Sequence, residues 1–210
     1  MADRRPLASR DTRWADRAAK ALVRTNITPN QISQASVAFA ALAFAAFWAA
    51  GAVAGPGAAL LLILGAVCVQ LRLLCNLLDG MVAIEGGKSA PDGAFFNEAP
   101  DRGADILILV GAGLCLGAPA LGFAAATGAV LTAYVRELGR AEGAPSDFAG
   151  PMAKPHRMAA ITAGAVLGAI EALTTGTQWS LLIALWAVTL GAFATAIRRS
   201  RTTLRFLNSR

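Results

Sequence analysis

The sequence predicts an all-α integral membrane protein, a six-transmembrane-helix bundle preceded by an N-terminal amphipathic interfacial helix. Three observations predict it. Of the 210 residues 56% are hydrophobic and only 15% charged, too apolar for a soluble core of this size. The stretches 25–71, 106–135 and 158–197 contain no charged residue except Glu171. The basic residues, finally, all lie away from the turns that fold those stretches back.

A span takes about 20 residues, so each apolar stretch must turn once. The turns read as "GAVAGPG" (51–57), "GAPALG" (117–122) and "TTGTQ" (174–178), clusters of helix-breaking residues. Six helices follow, over 33–53, 58–83, 93–117, 120–139, 158–174 and 179–197. The middle stretch is short for two spans, so the third helix must start well before Ile106 and include polar residues. Ahead of them, "RDTRWADRAAKALVRT" (10–25) sets Trp14, Ala18, Ala21 and Leu22 near one helical face, with Arg13, Asp16, Arg17, Lys20 and Arg24 mostly around the other. That pattern suits a helix lying on a membrane surface. The chain divides into a cytoplasmic arm with its interfacial helix (1–32), the membrane domain (33–197) and a basic cytoplasmic tail (198–210).

All 19 Lys and Arg fall in the arm, the 72–102 region, the 136–157 region or the tail. By the positive-inside rule both termini and both charged connections are cytoplasmic. The net charge of +6 is read as attraction to anionic membrane lipids and not to nucleic acid, since the basic residues flank spans. Cys68, Cys75 and Cys115 are odd in number, lack a C-x-x-C and sit in apolar helices, so they read as small core residues.

The polar residues concentrate in 75–105, "CNLLDGMVAIEGGKSAPDGAFFNEAPDRGAD". Asn76 and Asp79 share a face near the end of the second helix. Asn97, Asp101 and Asp105 recur at four-residue intervals along the start of the third. Ionisable groups in a membrane helix cost roughly 2.5–3.5 kcal/mol each at the centre, so both stripes are expected to face the bundle interior. Oxygen ligands of this kind suit Mg²⁺, Mn²⁺ or Ca²⁺ better than zinc.

The spacing resembles the signature of the CDP-alcohol phosphotransferases, D-x2-D-G-x2-A-R-x8-G-x3-D-x3-D. It stands here as Asn76-x2-Asp79-Gly80-x2-Ala83-Ile84-x8-Gly93-x3-Asn97-x3-Asp101. "ITPNQIS" (27–33), opening the first span, is similar to the usual entry of that family, and six helices with cytoplasmic ends are its usual body. The resemblance implies an enzyme of phospholipid synthesis in a bacterial inner membrane. A CDP-diacylglycerol-like lipid nucleotide would give its phosphatidyl group to a small alcohol and release CMP. It further implies a divalent metal, Mg²⁺ or Mn²⁺ with Ca²⁺ as an alternative, held by Asn76, Asp79, Asn97 and Asp101. Asp101 would be the catalytic base, and Gly80, Ala83 and Gly93 would line the nucleotide. A homodimer through the third and fourth helices is also implied, and their Gly111, Gly113, Gly117, Gly122 and Gly128 permit close packing.

Three positions depart from the signature. Asn76 and Asn97 replace carboxylates and Ile84 replaces an arginine. An Asn carbonyl still coordinates a hard cation, but two formal charges are gone, and one unit pair at short range is worth about 4 kcal/mol at an intermediate dielectric. Asp105 is either a further metal ligand or the partner of Arg102 or Arg136, and Glu98 reads as a solvated partner of Arg102. Pro100 within a helix frees the carbonyl of Phe96, either as a ligand or at a kink. Arg136, Lys154, His156 and Arg157 sit at helix ends where they would meet phosphate of the substrate or acceptor, or serve as cytoplasmic anchors. Two other function classes are left beside the transferase: a catalytically silent homologue that binds nucleotide or lipid, and a small transporter.

Overall fold

The computed structural model describes residues 12–88 and 91–209; the expectations for 1–11 and for the side chain of Asn97 lie outside what it describes. The described residues form seven helices and no strand: α1 (Arg13–Val23), α2 (Pro29–Ala50), α3 (Gly55–Glu85), α4 (Gly93–Cys115), α5 (Pro119–Ala141), α6 (Lys154–Thr174) and α7 (Trp179–Asn208). The three turns fall inside the Gly, Pro and Thr clusters, but several helices are longer than the charge-free stretches suggest.

The extensions have local causes. Thr28 caps α2, accepting from Gln31 N at 3.2 Å while its own N–H donates to Gln31 Oε1 at 3.0 Å. With Pro29 at the first turn, the helix begins four residues before position 33. Pro155 does the same for α6, which brings Lys154 into its first turn. The basic tail continues α7 without interruption as far as Asn208. Between α4 and α5 the chain reverses at Gly117, whose φ of 63° only glycine adopts readily.

Each of α2 to α7 packs mainly on two others, and the pairs close a ring in the order α3, α2, α4, α5, α7, α6. Inside it lie Phe47, Leu62, Ile108, Leu109, Ile161, Leu181 and Leu185 among many alanines. The glycines allow the helices to approach closely. A Cβ on Gly113 would lie 2.6 Å from Gly122 Cα, one on Gly111 2.8 Å from Phe44 Cα, and one on Gly128 3.0 Å from Ala192 Cβ. Gly111, Gly113, Gly122 and Gly128 thus serve close packing between helices of one chain.

Large apolar side chains such as Leu60, Phe123, Ile170, Ile183 and Leu190 cover the outside. An apolar exterior of this extent marks a membrane protein. Four helices, α2, α3, α6 and α7, are long and apolar enough to cross a membrane. α4 and α5, 23 residues each, are long enough but are not among these four. The first half of α4 carries Glu98, Asp101, Arg102 and Asp105, and α5 is rich in Gly and Ala and ends in Arg136, Glu137 and Arg140. α1 packs Ala15 and Ala19 against Leu77 and Met81 of α3, leaving Trp14 exposed. The face it turns to the protein is thus offset from the Trp14, Ala18, Ala21 and Leu22 face read from the sequence.

Candidate active site

The polar residues meet at the end of the ring that carries the α3–α4 and α5–α6 connections. On α3, Arg72, Asn76 and Asp79 are spaced by four and three and so share one face. Asp101 and Asp105 face them from α4, and Lys154 and Arg157 from the first turn of α6.

Asp105 is the deepest of the carboxylates, 1% exposed, with Arg72 Nη2 donating to Oδ1 at 2.8 Å and Arg157 Nη2 to Oδ2 at 2.7 Å. Arg157 is held in turn by Thr132 Oγ1 at 3.2 Å and the Met152 carbonyl at 2.9 Å. Arg72, fully buried, also donates to the Asp101 carbonyl at 3.2 Å and to Asp101 Oδ1 at 3.3 Å. Nearer the bundle end, Asn76 Nδ2 donates to Asp101 Oδ1 and Lys154 Nζ to Asp101 Oδ2. Asp79 accepts from Ser33 Oγ of α2 at 2.7 Å. Its other oxygen, Oδ1, is buried with no partner among the described residues, as are Nε and Nη1 of Arg72 and Nε of Arg157. Removing charges from water costs several kcal/mol per ion unless they are paired, roughly what this interleaving of Asp and Arg provides.

Arg136 lies in a neighbouring network. It donates to Glu98 Oε2 at 2.6 Å and Glu137 Oε1 at 2.9 Å and stands over the Phe148 ring at 5.2 Å. Glu98 also pairs with Arg102 at 3.2 Å, as expected. The α5–α6 connection is fixed from α7: Arg199 Nε donates to the Ala149 carbonyl at 3.1 Å and Nη1 to the Thr132 carbonyl at 2.7 Å.

The structure therefore brings together Asn76, Asp101, Asp105, Lys154 and Arg157, with Asp79 on the same face of α3. It sets Arg136 to one side, and His156 is exposed. Asp105 pairs with Arg72 and Arg157 instead of Arg102 or Arg136, because the last two sit nearer the helix ends beside Glu98. Gly80 and Ala83 are half-buried one and two turns beyond Asn76, and space is open beside Gly93. Pro100 lies inside α4, with no N–H to give the Phe96 carbonyl. The sequence reading missed Arg72, Ser33 and Thr132. Arg72 left a signal: it is the lone basic residue within a long apolar helix, four residues before Asn76.

Two openings lie around the start of α2, neither lined by Asn76 or the clustered Asp, Arg and Lys residues. A cleft of 310 Å³ is lined by Asn26, Thr28, Pro29, Asn30 and Lys88, beside the Asn30 to Asp92 hydrogen bond of 3.2 Å. An apolar groove of 480 Å³ lies among Leu22, Ile27, Gln31, Ile32, Ala35, Cys75 and Leu78.

Comparison with known proteins bears on this arrangement. A bifunctional IPC transferase and DIPP synthase from Rubrobacter xylanophilus is 39% identical over 166 residues, 74% of this chain. The chain spans 35% of that relative's length. A phosphatidylinositol phosphate synthase from Mycolicibacterium smegmatis is 27% identical over 189 residues, 86% of this chain and 79% of the relative. The chain is similar to these two enzymes, and its signature spacing resembles that of the CDP-alcohol phosphotransferases. No family model matches it. The same fold is seen in the solved Mycobacterium tuberculosis phosphatidylinositol phosphate synthase. Its complex with manganese and citrate and its complex with CDP-DAG each align at a TM-score of 0.75 and 20% identity, covering 90% and 91% of this chain and 88% and 94% of theirs.

The CDP-alcohol phosphotransferases imply a divalent ion, and the charge around the signature residues tests the fit. Among the described residues no three acidic, His or Cys side chains are grouped to hold a metal. Asp105 is enclosed by two arginines and Asp101 is engaged by Arg72, Lys154 and Asn76. The unpartnered Oδ1 of Asp79 is different. With the side-chain oxygen of Asn76 one turn away, it fits one hard cation whose remaining ligands are phosphate oxygens and water.

Proposed function

We propose that this protein transfers a phosphatidyl group from a CDP-alcohol, CDP-diacylglycerol in the first instance, to a small alcohol with release of CMP, in phospholipid synthesis. The observation that carries it is the meeting of Asp79 and Asp101, both at signature positions, with Lys154 at one end of a membrane bundle. The acceptor hydroxyl oxygen bonds to the phosphorus next to the diacylglycerol, and the bond from that phosphorus to the CMP oxygen breaks. Asp101 takes the hydroxyl proton, held in place by Asn76 and Lys154. A divalent ion, Mg²⁺ or Mn²⁺ and less readily Ca²⁺, would be held by Asp79 and Asn76 and would supply charge neutralisation at the pyrophosphate. Lys154 would meet phosphate oxygens once substrate enters, Gly93 leaves room for the nucleotide, and the apolar groove along Ile32 and Leu78 suits an acyl chain. The acceptor is proposed to carry a phosphate itself, a reading supported by Lys154 and by the phosphatidylinositol phosphate synthase among the relatives.

In this reading all six ring helices cross a bacterial inner membrane, with both termini and the site cytoplasmic. α1 lies in the headgroup region with Trp14 towards lipid. Two copies pair through the outer faces of α4 and α5, where Ile106, Phe123, Tyr134 and Leu138 are exposed; crosslinking in a native-like bilayer should trap a dimer, and monomer alone would count against it.

A second reading, a silent homologue that binds the nucleotide without turnover, is favoured by one observation: Asn76 donates to Asp101 where the signature has a carboxylate. Purified protein incubated with CDP-diacylglycerol, Mn²⁺ and a panel of alcohols and alcohol phosphates separates the two. Metal-dependent CMP release with a new lipid identified by mass spectrometry is expected. Nucleotide binding without CMP release from any acceptor would select the silent homologue.

A further inference from the structure

The charges around Asp101 and Asp105 balance before any metal is added. Three buried carboxylates, Asp79, Asp101 and Asp105, face three cations that are buried or nearly so, Arg72, Lys154 and Arg157; the more exposed Arg102 also stands 3.6 Å from Asp101 Oδ2 but is shared with Glu98 at 3.2 Å. Arg72 is the most enclosed, with its side chain fully buried and Nη2 shared between Asp101 and Asp105. A divalent cation placed between two carboxylates does the same work: it draws the oxygens of two residues on one helix to a single point of positive charge. Two signature positions, 76 and 97, have meanwhile given up their negative charge to Asn. Charge lost as carboxylate and charge gained as guanidinium act in the same direction, and both disfavour a second ion.

We propose that this site takes one divalent ion, at Asp79, and that Arg72 supplies the positive charge between Asp101 and Asp105 that a second ion would otherwise bring. Arg72 is a positioning residue in this arrangement. Its guanidinium fixes Asp101 for the incoming hydroxyl through its contacts to both the Asp101 carbonyl and carboxylate. The planar fork is suited to this, since one group reaches several oxygens without losing its charge when buried. The unpartnered Oδ1 of Asp79 marks where the single ion enters.

The inference rests on the site being a metal-assisted pyrophosphate site, and metal stoichiometry tests it separately from turnover. Full-length protein in lipid nanodiscs is titrated with Mn²⁺ in the presence of CDP, and bound Mn²⁺ per chain is counted by electron paramagnetic resonance. The wild type is expected to bind one. Arg72→Gln, which removes the buried positive charge between Asp101 and Asp105, is expected to bind two, whereas Arg72→Lys, which keeps the charge, stays at one. Should Arg72→Gln fail to fold, Asn76→Asp makes the same test by adding a carboxylate, and it too is expected to bind a second Mn²⁺. Two ions on the wild type, none on it with CDP present, or one ion of unchanged affinity on both Arg72→Gln and Asn76→Asp would each overturn the proposal. One Mn²⁺ on the wild type and two on the variants, without CMP release in a parallel assay, would support it while counting against the transferase reading.

Discussion

Asp101 has more partners than any other carboxylate in the protein's polar end, and they assign it two dependencies. Its two oxygens are met by Asn76, Arg72 and Lys154, with Arg102 at 3.6 Å. Under the proposed transfer, Asp101→Asn keeps the shape and removes the proposed proton acceptor, so CMP release should fall to background while the protein still binds CDP-diacylglycerol. Lys154→Ala removes the proposed phosphate ligand together with a partner of Asp101, so kcat should fall and KM for the lipid nucleotide should rise together. A rise in KM alone would mean that Lys154 serves substrate and not Asp101. Arg157 behaves differently, being buried away from the bundle end against Asp105, Thr132 and the Met152 carbonyl. Arg157→Met leaves a buried carboxylate short of one partner and should cost about 3–5 kcal/mol of stability, read as a lowered unfolding midpoint in detergent. The signature residues Asp79 and Asp101 were legible from their spacing. Arg72 was passed over because a lone arginine next to an apolar stretch resembles a cytoplasmic anchor until the facing carboxylates of α4 are seen beside it.

Helix contacts set how accurately those residues meet. α4 carries Asp101 and Asp105 at one end and packs on α5 at the other, where Gly113 and Gly122 face each other. A Cβ on Gly122 would stand 2.9 Å from the Leu109 carbonyl and 3.1 Å from Gly113 Cα, backbone atoms that cannot rotate aside. Gly122→Val should therefore push α4 from α5, with an overpacking cost of roughly 1–3 kcal/mol and a loss of CMP release at a position remote from the chemistry. A variant with unchanged activity and unfolding midpoint would show that the two helices can separate without moving Asp101. The turns between helices were predictable because Gly, Pro and Thr act through local backbone geometry. α2 and α6 start four residues ahead of the positions 33 and 158 expected from the sequence, because local backbone signals and not hydropathy set a helix start. A capping box and a first-turn proline both extend a helix into polar sequence.

The ring of six helices has two unlike ends. The α2–α3, α4–α5 and α6–α7 turns at one end contain no Lys or Arg, and the basic residues gather at the other. In a background lacking Cys68, Cys75 and Cys115, a cysteine at Ala54→Cys should react with an impermeant thiol reagent from outside intact cells. One at Pro145→Cys should react only after the membrane is opened. The reverse pattern would put the site on the wrong side for a cytosolic nucleotide.

Hydropathy, turn residues and charge segregation follow from the order of residues along the chain, because each acts over one or two helical turns or through the bilayer. They were enough to indicate a helical membrane bundle with its polar chemistry at one end, and the signature spacing was enough to mark Asp79 and Asp101. Which cation meets which carboxylate is a matter of how deep each side chain sits and how each helix is rotated against its neighbours. Arg102 adjoins Asp101 in sequence, yet Asp105 is paired by Arg72 and Arg157, 33 and 52 residues away. Only the closed ring brings α3, α4 and α6 to a common depth, and buried charges accept whichever partner lies at that depth because they have no water to turn to.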